Sequence, residues 1–231
     1  MTAIGRPGTV LITGGSSGLG AATVIAVDKA GGRPVVLDLV PPGADVEHEL
    51  VDLADARAAE HAVRVLAERV GGFDGVFTAA GVDSCGPLAT VAPTAWDRVI
   101  AINLIGTAAV IRAALPSLME RRGAVVTCAS TLGIKAVGDA TAYCASKFGV
   151  VGFTRALAAE TAGQVGVTLL IPGGMHTPFF DGRDEQYKPG PDAQLSRPED
   201  VAAAVLFALT QPAGAEIREL VVACSKESSW P

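Results

Sequence analysis

Aromatic residues make up only 5% of this 231-residue chain, and histidine occurs three times. A core with so few rings is built from Ala, Val, Leu and Ile, which suits helices packed closely on a parallel sheet buried on both faces. Positive charge is short as well: 18 Lys and Arg stand against 24 Asp and Glu, for a net charge of −6. With no basic stripe to offset that balance, neither nucleic acid nor an anionic membrane surface is expected as a partner. The four cysteines, Cys85, Cys128, Cys144 and Cys224, are scattered without a C-x-x-C pair. They read as small buried hydrophobes in a reducing cytoplasm rather than as metal ligands or disulfides. No apolar run is clean enough for a membrane span, since residues 99–118 are broken by Asn103, Arg112 and Pro116. Residues 1–8 carry no apolar leader segment, which adds to the expectation of a cytoplasmic protein.

What is present is alternation. Short β-branched runs at residues 9–12, 34–39, 75–79, 124–128, 165–171 and 220–223, with a weaker one at 47–51, predict strands. Between them, residues 18–30, 54–70, 94–121, 142–162 and 198–210 carry helical spacing. Strands alternating with helices predict β-α-β units and an α/β, doubly wound parallel sheet. With 49% hydrophobic residues and no shift of composition along the chain, residues 1–231 read as a single domain. Thr94 with Asp97 and Ser196 with Glu199 have capping-box spacing and predict two helix starts. Residues 172–196 form the one long stretch without such a pattern, rich in Pro, Gly and charge, and read as a functional loop.

The first predicted strand runs into Thr13-Gly14-Gly15-Ser16-Ser17-Gly18-Leu19-Gly20 and then a helix. Glycines here allow a sharp turn and let backbone N–H groups approach a phosphate, which a helix N-terminus also attracts. The spacing T-G-x-x-x-G-x-G resembles that of the short-chain dehydrogenase/reductase family, and the resemblance runs from residue 10 to about 223. It implies a Rossmann-type sheet of seven strands in the order 3-2-1-4-5-6-7 with helices on both faces. It also implies a nicotinamide dinucleotide cradled by Gly14, Ser16, Ser17, Gly18, Leu19 and Gly20.

Asp38 closes the second predicted strand, 18 residues past Gly20. A carboxylate there accepts hydrogen bonds from ribose hydroxyls and repels a 2′-phosphate, so NAD is expected rather than NADP. Ser17 and Leu39 stand where NADP-preferring relatives carry basic residues. By resemblance, Asp52 and Leu53 meet the adenine ring, and Ala79, Ala80 and Gly81 form the small surface under the cofactor. Thr78 departs from the Asn usual at its position. Pro172, Gly173, Met175 and Thr177 match the family's P-G-x-[VI]-x-T run, which meets the nicotinamide carboxamide.

Tyr143 and Lys147, at i and i+4, lie on one helix face. A phenol near pKa 10 is a poor proton carrier at neutral pH, and a neighbouring ammonium is expected to lower it. Ser130 ends the fifth predicted strand, thirteen positions before the tyrosine, where a hydroxyl faces the ligand crevice of an open α/β sheet. With Asn103 these residues match the family's catalytic tetrad. The resemblance makes Tyr143 the acid/base, Lys147 its tuner and ribose ligand, Ser130 the substrate-orienting hydroxyl, and Asn103 the holder of a water that relays protons from Lys147. His176 reads as a loop residue.

The substrate is expected between residues 82–88, 131–141 and 174–187, against Leu132, Ile134, Val137, Met175, Phe179 and Phe180, with Asp139, Arg183, Asp184 and Lys188 adding charge. A small secondary alcohol or ketone is the expected substrate. A 3-oxoacyl thioester reductase and a non-catalytic NAD-sensing protein are the alternatives. The chain past the seventh predicted strand leaves little extra material for a substrate domain. Helices 94–121 and 142–162 resemble those through which family members pair, so a homodimer or homotetramer is expected.

Overall fold

The computed structural model describes residues 5–212 and 214–230. Residues 1–4, part of the segment read as lacking an apolar leader, lie outside that description. Seven strands form the sheet: β1 (Thr9–Thr13), β2 (Arg33–Asp38), β3 (Glu47–Leu50), β4 (Gly75–Thr78), β5 (Ala124–Cys128), β6 (Gly166–Pro172) and β7 (Glu219–Val222). Every pairing is parallel and the order is β3-β2-β1-β4-β5-β6-β7, as the resemblance implied.

The strands are apolar on both faces because both faces are covered. Val10 and Ile12 pack with Leu19, Val24 and Val27 of helix α1 (Gly18–Lys29) and with Val201 and Val205 of α6 (Pro198–Leu209). The residue between them, Leu11, points the other way, toward Val63 and Leu66 of α2 (Ala56–Val70) and Val110 and Leu118 of α4 (Thr107–Arg121). Side chains alternate across a strand, so one continuous apolar run feeds two cores. β1 lies between β2 and β4, where the chain's winding reverses, and a crevice opens there beyond the strands' carboxyl ends.

The helix expected over residues 94–121 spans Pro93–Arg121 but is not one regular α-helix. A π-helical segment, Ala101–Gly106, joins α3 (Pro93–Ile100) to α4 and contains Asn103. The helix is long and apolar enough to cross a membrane by length and composition, yet half of its most apolar stretch is buried, and it packs on α2 and α5 (Thr141–Glu160). Neither predicted capping box forms. α3 starts at Pro93 behind Ala92, and α6 at Pro198 behind Arg197, without a side-chain cap in either case. Proline at the first helical position, with its preset φ and no N–H to satisfy, sets both starts instead. A side-chain cap does form on α2, where Asp55 accepts from the N–H groups of Arg57 and Ala58.

The loop at 172–196 is more ordered than expected. It holds two short 3₁₀ turns, Pro178–Phe180 and Glu185–Tyr187, and Met175 bridges Ser196 in parallel register.

Phe77 is fully buried in the middle of the sheet. Phe77→Ala is expected to destabilise the fold by about 3–5 kcal/mol through lost transfer energy and a cavity, read from the urea midpoint.

Candidate active site

The crevice is one continuous cleft of about 1180 Å³, running from Asp38 and Leu39 past the glycine loop to Ser130 and Tyr143. The glycines are there for space. At Gly20 a Cβ would lie 2.0 Å from the Gly14 carbonyl oxygen, and at Gly14 (φ +69°) it would lie 2.9 Å from the Ala80 backbone. Ser17, which caps α1, makes no side-chain cap bond, and the first turn of α1 holds no acid. Its N–H groups are therefore left for an anion. An elongated cleft with a carboxylate at one end and this cradle in the middle fits a dinucleotide.

Asp38 does more than end its strand. Its Oδ2 accepts from the Ser16 N–H at 2.9 Å and its Oδ1 from the Leu39 N–H at 2.6 Å, while the Ser16 hydroxyl donates to the Val40 carbonyl. Ser16 is thus a brace for the loop and not part of the cleft wall. Ser17, Gly18, Leu19, Asp52, Leu53, Ala79, Ala80, Gly81, Pro172, Gly173, Met175 and Thr177 all line the cleft as expected. Asp52 is tied to the Ala54 N–H and to Arg98, and these contacts hold its carboxyl below the usual range. The Thr78 hydroxyl is buried with no hydrogen-bond partner, so the bracing an Asn amide would supply there is missing.

Ser130, Tyr143 and Lys147 meet at the other end. The Lys147 ammonium is buried, lies 5.6 Å from the centre of the Tyr143 ring, and donates to the Cys128 carbonyl at 2.9 Å. Ser130 accepts from the Leu132 N–H at 3.1 Å. Asn103 does not line the cleft. Its amide is fully engaged: Oδ1 accepts from the Val82 N–H at 2.8 Å, and Nδ2 donates to the Val82 carbonyl and the Ser146 hydroxyl. It pins the chain just past Gly81, against which the Lys147 ammonium also packs.

One expectation is reversed. Burial pushes the Tyr143 phenol up from its usual value near 10, the Cys128 sulfur adds to the rise, and the nearby Ser130 hydroxyl opposes it. Removing a would-be phenolate from water is the largest cause, and burial disfavours the charged form of Lys147 as well.

Several site residues carried no sequence signal. Residues 226–229, to which the sequence pattern assigned no role, fold back and line the cleft. Glu227 accepts from the Gly174 N–H at 2.8 Å, Ser229 meets the Thr131 hydroxyl at 2.6 Å, and Lys135 donates to the Ser228 carbonyl. Partial burial alone would raise the Glu227 carboxyl, but hydrogen bonds from Ser229 and Gly174 bring it below its usual value. Arg98 at the adenine end and Leu195 at the substrate end also belong to the wall. His176 is exposed and stays outside it.

Residues 8–188 match the short chain dehydrogenase family. The chain is 31% identical over 250 aligned positions to levodione reductase from Leifsonia aquatica, covering 92% of this chain and 93% of that one. It is 34% identical over 217 positions to D-threitol dehydrogenase from Mycolicibacterium smegmatis, covering 85% and 84%. The crystal structure of levodione reductase superposes with a TM-score of 0.83 at 29% identity, over 97% of this chain and 98% of that one. An alcohol dehydrogenase from Thermococcus sibiricus, solved with 5-hydroxy-NADP, shares the fold at 22% identity, 93% and 95% coverage and a TM-score of 0.83. The protein belongs to the short-chain dehydrogenase/reductase family, oxidoreductases that use nicotinamide cofactors.

The chain has two tyrosines. Tyr187 is also pushed up, by its hydrogen bond to Asp139. Ultraviolet titration of the folded protein is expected to show no phenolate step at pH 10, with both phenols ionising above that value; a step at neutral pH contradicts the burial argument.

Proposed function

We propose that the protein is an NAD-dependent oxidoreductase that interconverts a secondary alcohol and a ketone on a small, partly apolar substrate. The observation that carries this reading is the meeting of Tyr143, Ser130 and Lys147 at one end of a cleft whose other end is Asp38. The dinucleotide, when bound, supplies or accepts the hydride. Tyr143 gives a proton to the substrate oxygen in reduction and takes it back in oxidation. A phenol held above its usual pKa rests protonated, as ketone reduction needs. Ser130 hydrogen-bonds the same oxygen and holds it beside the phenol. Lys147 stands one helical turn away and binds the nicotinamide ribose. Asn103, whose side-chain amide is taken up by Val82 and Ser146 and not left for a relay water, instead holds the Val82 backbone next to Gly81.

Asp38 supports NAD over NADP. Its two oxygens keep lone pairs for ribose hydroxyls beyond the bonds to Ser16 and Leu39, and its charge opposes a 2′-phosphate. Exposed Ile105 and Phe148, on the π segment and α5, support pairing into a homodimer or homotetramer. Four free cysteines support a cytoplasmic setting.

Tyr143→Phe is expected to lower turnover of a secondary alcohol by about 10²–10⁴ while NADH binding, followed by fluorescence, is kept. Near-normal turnover would rule out the phenol as proton carrier. Replacing Asp38 by Ala together with Leu39 by Arg is expected to move the kcat/KM ratio toward NADP. An unaltered preference for NAD in that double variant would refute the role of Asp38.

A further inference from the structure

The substrate end of the cleft contains a cation whose charge is already taken. Arg183 lines it, and its guanidinium meets the Asp83 carboxylate at 2.6 Å, with the two side chains 17% and 5% exposed. Asp83 is held from behind by the Ser84 N–H at 2.7 Å and the Cys85 thiol at 3.2 Å. The guanidinium lies 5.1 Å from the centre of the Phe179 ring and 4.6 Å from that of Phe180, and Phe179 in turn packs 5.6 Å from the Tyr143 ring. A second donor of Arg183 goes to the Tyr187 carbonyl at 3.2 Å, and Nε has no acceptor.

The other charges nearby are spoken for or remote. Lys147 is bound to the Cys128 carbonyl, and Glu227 takes the Gly174 and Ser229 N–H groups. Lys226 and Asp192, one of each sign, are exposed at the mouth. A carboxylate or phosphate entering this chamber meets a guanidinium already neutralised and, directly behind it, the buried Asp83 carboxylate. A neutral oxygen carries no charge for Asp83 to repel, and an apolar flank meets Phe179.

Resting on the oxidoreductase reading above, we propose that the Asp83–Arg183 pair sets the substrate class: the enzyme takes uncharged ketones and secondary alcohols and rejects anionic ones. Asp83 is then a specificity residue that acts by keeping Arg183 unavailable. Specificity of this kind comes from a repulsive element against the wrong ligand as much as from attraction to the right one.

The test uses matched pairs, 3-oxobutanoate and 4-oxopentanoate each against its methyl ester, with NADH oxidation followed optically. The native enzyme is expected to favour each ester by roughly tenfold or more in kcat/KM. Asp83→Asn keeps the side chain's shape and frees the cation, so the ester-to-acid ratio should fall by about tenfold or more. Adding Arg183→Met to that variant should abolish the gain on the acids. A native preference for the acids overturns the proposal, as does an unchanged ratio in a folded Asp83→Asn protein; if that variant does not fold, the native ratio decides. The same four compounds are also followed by their shift of the melting temperature. Esters that stabilise without any being reduced would sink the hydride-transfer reading and leave the charge selection standing, whereas acids that stabilise more than esters would sink the selection.

Discussion

A buried ammonium has to be held by something, and at the centre of this protein that requirement organises the site. Lys147 is 4% exposed, and its hydrogen bond to the Cys128 carbonyl joins the first turns of α5 to the end of β5. An unpartnered charge at such a place would cost several kcal/mol. The contact ties α5 to β5 at a point with Tyr143 one turn away and Ser130 two residues past the carbonyl. Close packing follows from it. A Cβ at Gly133 would sit 2.9 Å from the Lys147 carbonyl oxygen.

Around that fixed centre, the cleft is closed by contacts between segments distant in the chain. The loop after β6 is tied to the loop after β4 through Arg183 and Asp83, and to the C-terminal segment through Gly174 and Glu227. The C-terminal segment reaches the loop after β5 through Ser229 and Thr131. These loops sit at the carboxyl edge because all the strands run the same way, so each delivers its following loop to the same side. The scaffold is a sheet covered on both faces and the wall is assembled from loops, an arrangement that lets the chamber's chemistry vary without disturbing the sheet.

The charges are arranged by the same logic. Asp38, Asp52, Lys147, Asp83 and Glu227 each have protein partners, and several of those partners are backbone N–H or carbonyl groups of the very loops that form the cleft. Each charged side chain thereby positions backbone as well as carrying charge. The helical stretch before α4 shows the polar counterpart: its π turn carries Asn103, whose amide grips both backbone groups of Val82.

Much of this was legible from local pattern. Strand and helix positions follow from side-chain direction repeating every two or about 3.6 residues, which needs no knowledge of the partner element. The glycine loop and the Tyr143–Lys147 spacing were equally plain, since backbone conformation and helix geometry dictate them residue by residue. Where two local signals competed, reading them alone failed: Pro93 and Pro198 overrode the capping boxes. Only the tertiary structure decided that Glu227 braces Gly174, that Arg183 is neutralised by Asp83, and that the Tyr143 phenol is pushed up rather than down. The two contacts join residues 53 and 100 positions apart, and the phenol's proton affinity depends on how much water the whole fold excludes. No local period carries either kind of information.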